Sequence, residues 1–534
     1  MRVPRLLGAL LLLVALPVAA APVPALADAP AVPLSPYDRL LPAPLSAEPG
    51  GPGYRIGAGT VVRAPVAPEA PAAAEVRAIA ERIAAELGGA LGGPPVPVTP
   101  EVRAAPAVPR GQEGVVLRLD PADTEVGEEG YRLAVESDRV LLTARTPAGL
   151  FHAGRTLNRL REGTEVPGGQ VLDRPRFAYR GAMVDIARHY FSPADVRAYV
   201  DRIAEFKVNT LHLHLTDDQG WRLDIASWPR LAAYGGGSEV GGGPGGFWTR
   251  EQYRELVAYA AERYVRIVPE IDMPGHVNAA LASYPELNCD DKAPPRYTGI
   301  KVGFSSLCVE RERTYAFVDD VLREVAELTP GPYLHIGGDE AHATPPAAYA
   351  AFMARAQAVV ARYGKTVVGW HQLASAEPGS GAVLQWWGHE RTSVADRERV
   401  AAAVRAGHQV VLSPADRLYL DMKYEKATKP GLAWAGYVPV KRSYDWDPGR
   451  YLAAQGVPES SVAGVEAPLW TENVATRAEW DLMAWPRVMV AAELGWAPAS
   501  AHGWEGFRQR LGAQGPWLRE RGIGWFRAPE VPWV

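Results

Sequence analysis

Two cysteines are all that the 534 residues contain, Cys289 and Cys308, so the chain can close at most one internal disulfide. No run of Lys or Arg occurs and the formal net charge is -5, which leaves no basic footprint for nucleic acid or another polyanion. A Gly-rich phosphate turn after the first strand of the second half is also missing, which argues against a doubly wound nucleotide-binding sheet. The apolar run near the N-terminus is too short to span a bilayer comfortably, and no cysteine beside it could take a lipid. Hydrophobic content of 47% and charged content of 22% are those of a soluble globular protein. The length exceeds one ordinary domain and suits a large barrel with an accessory domain. Unusual in the other direction are 16 tryptophans, several at the ends of apolar runs, and a flat indole face can stack on the C–H face of a sugar ring as well as pack a core.

Residues 1–27 read as an export signal. Arg2 and Arg5 form a positive region, Leu6 to Val18 an apolar one, and Ala25-Leu26-Ala27 a small-residue cleavage site before Asp28. The C-terminal residues Val531 to Val534 carry no anchor pattern, so a freely secreted protein is expected. In that compartment Cys289 and Cys308 are expected to pair and staple the loop between them.

The apolar pattern divides the rest. Residues 29 to about 52 are rich in Pro and Ala without a period and read as a flexible lead-in. Residues 28–172 are expected to form a small α/β domain, with strands at 114–119, 131–136 and 140–144 and helices at 72–87 and 147–161. From 173 to 534 the rhythm is strand, loop, helix, repeated. Strand-like runs at 181–186, 210–215, 266–271, 333–336, 366–370, 382–387, 409–412 and 462–469 alternate with amphipathic helices such as 193–206, 250–263, 313–328, 347–363 and 394–406. Eight such units fit a (β/α)8 barrel.

In this fold function gathers at the C-terminal ends of the strands. Here those ends carry Asp185 with Arg188-His189, Asp217-Asp218, Glu270 and Asp272 with His276, Asp339-Glu340, Trp370, Trp386-Trp387, Tyr419 with Asp421, and Trp470 with Glu472. The most informative stretch is His335-Ile-Gly-Gly-Asp-Glu340, in which an apolar run delivers two adjacent carboxylates. Neighbouring strand residues point to opposite faces, so both acids can serve one ligand only if the backbone bends, and Gly337-Gly338 supply that freedom. Asp217 and Glu270 are candidates for hydrogen-bonding groups of the barrel rim.

Six blocks in order, Arg180-Gly-Ala-Met-Val-Asp185-Ile-Ala-Arg-His189, His212-Leu-His214-Leu-Thr-Asp-Asp218, Pro274-Gly275-His276, His335 to Glu340, Tyr419-Leu-Asp421 and Trp470-Thr-Glu472, resemble the family 20 glycoside hydrolases, the β-N-acetylhexosaminidases. The preceding small domain resembles that family's non-catalytic N-terminal domain. The resemblance implies an exo-acting enzyme that removes terminal GlcNAc or GalNAc from β-linked oligosaccharides without cofactor or metal, the substrate's 2-acetamido oxygen being the nucleophile. By the same resemblance Glu340 is the general acid and then base. Asp339 orients the acetamido N–H and stabilises the oxazolinium, and Tyr419 donates to the attacking carbonyl oxygen. Trp370, Trp387 and Trp470 resemble the acetamide pocket. Trp386 is the alternative to Trp387, since period-2 alternation lets only one face inward. Arg180 and Glu472, with Asp421 assisting, resemble the groups that hold the sugar hydroxyls, Trp434 a platform for the next sugar, and Asp185 with His276 the pair behind Glu340.

Two other readings compete. A metal-dependent amidohydrolase uses the same barrel, and His212-x-His214 places two imidazoles on one face of a strand. Those residues lie on the second strand rather than the first, no suitable Lys ends a mid-barrel strand, and the Trp cluster would have no part to play. A catalytically inactive sugar-binding protein would keep the tryptophans and lose the carboxylates, whereas Asp339 and Glu340 are both present.

Overall fold

The computed structural model describes residues 34–67, 69–99 and 114–534. The expected signal segment, 1–27, lies outside the described residues. Eight parallel strands close a barrel: β1 (Tyr179–Asp185), β2 (Thr210–His214), β3 (Arg266–Glu270), β4 (Tyr333–His335), β5 (Thr366–Trp370), β6 (Val383–Trp386), β7 (Gln409–Leu412) and β8 (Val462–Leu469). Strand β8 returns to β1 with Gly464 opposite Tyr179, so the sheet has no open edge. This is the (β/α)8 barrel that the sequence predicts, with β1 beginning two residues earlier than its apolar run.

Amphipathic helices cover the outside, among them Pro193–Ala204, Arg250–Ala261, Glu312–Leu328, Pro346–Arg362 and Val394–Arg405. Several begin where a side chain satisfies the free backbone N–H groups of the first turn. Ser192 and Asp195 cap each other reciprocally, as do Thr249 and Gln252. Because side chains alternate along each strand, Leu211 and Leu213 pack outward against the helices while His212 and His214 point into the barrel. The interior of the barrel is therefore unusually polar, and its residues lead towards the C-terminal rim.

Among the described residues, the N-terminal domain is a seven-stranded mixed sheet in the order Ser46–Pro49, Gly169–Asp173, Tyr131–Val135, Arg139–Ala144, Gly114–Leu119, Val62–Arg63, Val98–Thr99. Helices Ala73–Ala90 and Pro147–Leu160 pack on it. The expected flexible lead-in is corrected over its described part. Ser46–Pro49 pairs antiparallel with Gly169–Asp173, and Tyr37, Leu40 and Leu41 are buried in the core. A single short edge strand preceded by a turn carries too few residues to show a period.

Between the sheet domain and the barrel runs a buried polar seam centred on Asp173. Its carboxylate accepts from Lys207 Nζ at 2.7 Å, Tyr131 Oη at 2.7 Å, Trp496 Nε1 at 2.8 Å and the Leu45 N–H at 3.2 Å. Arg155 extends the seam by pairing with Glu86 at 2.6 Å and Glu205 at 2.7 Å. Away from the seam, Cys289 and Cys308 form the expected disulfide, which closes the loop between β3 and β4.

Removing one partner of a buried ion pair leaves the other charge without compensation, at roughly 3–5 kcal/mol. Asp173→Asn is therefore expected to lose about that much stability in urea denaturation at neutral pH. Adding Lys207→Met should recover part of it. A single variant as stable as the parent would contradict the seam.

Candidate active site

At the C-terminal ends of the strands lies a cavity of about 440 Å³ whose walls include Arg188, His276, Asp339, Glu340, Tyr419 and Glu472. A larger cavity, about 630 Å³, opens at the opposite end of the barrel beside the starts of β3 and β4, and none of the expected site residues lines it.

The geometry begins with the backbone after β4. Gly337 has φ +62° and Gly338 φ +99°, and Glu340 itself sits at φ +45°. A Cβ on Gly337 would fall 1.6 Å from Asp272 Oδ1, so only glycine fits. The bend is pinned from three sides. The Gly337 N–H donates to His335 Nδ1 at 3.0 Å, the Gly338 N–H to Asp272 Oδ1 at 3.0 Å, and Tyr349 Oη to the Gly338 carbonyl at 2.7 Å. As a result both carboxylates face one imidazole, with His276 Nε2 3.5 Å from Glu340 Oε2 and 3.7 Å from Asp339 Oδ2.

The environments of these groups separate their charges. Burial raises the Asp339 carboxyl, opposed by the His276 charge and, to a lesser degree, by Asp272. Asp272 is pushed up further, by burial and then by the Asp339 charge, so Asp272 holds a proton more firmly than Asp339 does. Burial works against a charged His276, yet Asp217 and Asp339 carry it well above the ordinary histidine range and keep it cationic. Tyr419 is held well above 10 by burial and then by Asp339, so its phenol stays a proton-bearing donor.

One side of the cavity is aromatic. Trp387 lines it, half-buried, and donates Nε1 to Gln372 at 3.0 Å. Trp470 lies beside it, and the buried Trp370 packs behind with ring centroids 5.7 Å apart. Trp386 is turned away into the outer core. Gln385 faces inward, and alternation then sends Trp386 out and brings Trp387 back in. Trp434 stands at the mouth, 42% exposed, its ring 5.9 Å from that of Tyr419.

The closed end is polar. Both carboxylate oxygens of Asp421 and one of Glu472 are buried without a hydrogen-bond partner among the described residues. Burial and then the Glu472 charge hold the Asp421 carboxyl well above its usual range. Arg188 supplies the opposite charge there, paired with Asp217 at 2.7 Å.

Two expected placements are corrected. Arg180 is not in the cavity. It lies at the start of β1 on the outward face, donates to the carbonyls of Lys207 and Phe177, and pairs with Glu129 of the sheet domain. Its role is to fasten the two domains, and Arg188, three residues beyond the end of the same strand, is the arginine that reaches the cavity. Nor does Asp185 stand behind Glu340. It accepts the N–H groups of Ala187 at 2.8 Å, Arg188 at 3.0 Å and Thr471 at 3.1 Å, which fixes the Arg188 loop. The carboxylate behind His276 is Asp217, 3.3 Å from its Nδ1. The position of Arg188 beyond a strand's C-terminal end was a sufficient signal for it. Nothing local distinguishes Asp217 from Asp218. Ile300 and Val302, from the disulfide-closed loop, also reach the cavity wall and carry no sequence signal.

The pattern for the catalytic domain of glycosyl hydrolase family 20 matches residues 177–499, and that for the family's domain 2 matches residues 37–174. A β-N-acetylhexosaminidase of Cellulomonas fimi is 41% identical over 488 residues, covering 90% of this chain and 94% of that one. The solved structure of the GH20 β-N-acetylhexosaminidase of Streptomyces coelicolor A3(2) aligns with a TM-score of 0.87 at 54% identity, over 94% of this chain and 99% of the other. The N-acetyl-β-hexosaminidase of Streptomyces plicatus in complex with thio-NAglucal aligns with a TM-score of 0.88 at 54% identity, over 94% and 98%. With the catalytic match spanning the whole barrel and the second match the sheet domain, the chain belongs to glycosyl hydrolase family 20.

Proposed function

We propose that the protein is an exo-acting β-N-acetylhexosaminidase in which the substrate's own 2-acetamido group is the nucleophile. The observation that carries this reading is the joint placement of Asp339 and Glu340 at one imidazole, beside an aromatic wall and a donating phenol. A pair of carboxylates acting as acid and enzymic nucleophile must flank the glycosidic bond from opposite sides. Here both approach from the side of His276, which supports a nucleophile supplied by the substrate.

The steps follow from the geometry. A terminal sugar enters with its hydroxyls towards Arg188, Asp421 and Glu472, whose unpartnered oxygens accept from them. The closed end admits a chain terminus and not a chain interior. Trp370, Trp387 and Trp470 exclude water around the acetamido methyl and hold the carbonyl oxygen under C1. The anionic Asp339 accepts the acetamido N–H, and Tyr419 donates to the carbonyl oxygen. As that oxygen attacks C1, Glu340 gives its proton to the glycosidic oxygen and the C1–O bond breaks. Asp339 then faces the cationic oxazolinium. Glu340, now a carboxylate, takes a proton from water, which adds to C1 and reopens the ring with net retention. Trp434 at the mouth offers a stacking face to the next sugar.

Secretion belongs to the same proposal. The cystine at 289 and 308 supports an oxidising compartment, and the charged, apolar and small-residue regions of 1–27 supply the signal. N-terminal sequencing of protein from the culture supernatant should begin at Asp28. Retention of the intact segment on a cell-associated protein would contradict this.

The two acids are separable by their dependence on leaving group. Glu340→Gln removes proton donation. Its loss in kcat/KM should be on the order of 10²- to 10⁴-fold for an aryl β-GlcNAc substrate with a basic leaving group, and much less for an activated one. Asp339→Asn removes the charge facing the acetamido group, so its loss should persist with activated leaving groups. Kinetics across an aryl series, with GalNAc glycosides in parallel, measure both. Equal dependence in the two variants would overturn the assignment.

A further inference from the structure

The interior of a barrel of this kind is usually filled by branched apolar side chains. Here a row of buried ionisable groups crosses it instead. Starting on β8, Glu466 Oε1 lies 2.9 Å from His212 Nδ1 on β2. His212 Nε2 lies 3.0 Å from Glu270 Oε2 on β3, and the same oxygen lies 2.5 Å from His214 Nδ1. His214 Nε2 lies 2.7 Å from Asp217 Oδ2. Asp217 Oδ1 is 3.3 Å from His276 Nδ1, and His276 Nε2 is 3.5 Å from Glu340 Oε2. Carboxylate and imidazole alternate throughout. His212 and His214 have a carboxylate oxygen within 3.0 Å of both nitrogens, an arrangement that favours the doubly protonated, cationic ring. His276 has one at each nitrogen at 3.3 and 3.5 Å, with Arg188 also 3.5 Å from His214 Nε2 and from His276 Nδ1.

One end and the middle of the row are held by neutral donors, and Asp217 near the other end is also paired with Arg188 at 2.7 Å. Tyr179 Oη donates to Glu466 at 2.5 Å and Gln385 Nε2 at 2.6 Å, while Trp370 Nε1 donates to Glu270 Oε1 at 2.7 Å. The charge states agree with the geometry. Although burial opposes it, Glu466 and Glu270 draw His212 up to about 9, and Glu270 and Asp217 draw His214 well above its ordinary value. A buried row of this kind is expensive, since well-packed apolar residues of similar volume are commonly as stabilising or more so. Stability therefore does not account for it.

Resting on the reading of Glu340 as the general acid, we propose that Glu270 and Glu466, through His212 and His214, are positioning residues for the proton transfer made by Glu340. They do not touch the substrate. By holding His214 oriented and charged they fix Asp217, Asp217 fixes the ring of His276, and His276 sets where the carboxyl of Glu340 stands and how readily it gives its proton. Glu466 is the cleaner test, because Glu270 also holds Trp370 of the aromatic wall.

The experiment measures kcat and KM for Glu466→Gln and Glu270→Gln across aryl β-GlcNAc substrates of graded leaving-group basicity, at a temperature where circular dichroism shows each variant folded. Coupling through such a network is typically worth a factor of about 3 to 30. The expected result is a fall of that size in kcat for basic leaving groups, shrinking towards unity for activated ones, with KM little changed. Ser413→Ala, which removes a second partner of Gln385 outside the row, should leave the profile at the parent's. Where Glu466→Gln does not fold, His212→Gln interrupts the row at the next member. A loss equal across all leaving groups, or no loss, overturns the proposal. If Glu340→Gln itself lacks leaving-group dependence, it is the reading of Glu340 as acid that fails. If Glu340→Gln shows the dependence and the row variants do not, only the present inference falls.

Discussion

Consecutive residues of a strand diverge to opposite faces, and a site that uses two adjacent carboxylates has to defeat that geometry. The left-handed backbone at Gly337, Gly338 and Glu340 does so here. A non-glycine residue in this region stores strain of about 1–3 kcal/mol, which persists only where the surroundings impose it. His335, Asp272 and Tyr349 are those surroundings, each hydrogen-bonded to the bend itself. The rest of the site depends on this turn. Without it Asp339 and Glu340 could not both face His276, and on the proposed mechanism the aromatic wall would enclose an acetamido group with nothing to orient it.

Once the carboxylates are close, their charges must be kept apart in role. Asp272 is raised further than Asp339, so within that buried pair Asp272 holds a proton more firmly. His276, cationic through Asp217 and Asp339, stands behind Glu340. Tyr419 remains a phenol because burial and the Asp339 charge both resist its ionisation. Within a few ångströms, differences of environment alone thus raise Asp272 above Asp339, make His276 a cation and keep Tyr419 a neutral donor.

The barrel was legible because its strands are short apolar runs at regular spacing, and the rim because most runs end in an acid, a His or an aromatic. Trp387 follows from parity once Gln385 is known to face inward. The block resemblance points to Arg180, whereas position on the strand points to Arg188. Arg180 begins β1 and Arg188 lies past its end, and only the latter end carries function in this fold. Asp217 and Asp218 are adjacent, and which one meets His276 is decided by how the loop after β2 packs on the loop after β3, a long-range contact with no local signature. The polar row inside the barrel shows the same limit. His212-x-His214 marks one face of β2, but its partners Glu270 and Glu466 are fixed only when β3 and β8 close around it.

The central claim is that the acetamido oxygen, and no enzyme side chain, attacks C1. Replacing the N-acetyl group of an activated aryl β-GlcNAc substrate by N-fluoroacetyl, N-difluoroacetyl and N-trifluoroacetyl groups weakens that oxygen stepwise as a nucleophile while changing its size little. The account predicts that kcat falls steeply and monotonically along the series. A kcat indifferent to the fluorine count, or a covalent glycosyl adduct recovered on Asp339, would contradict it.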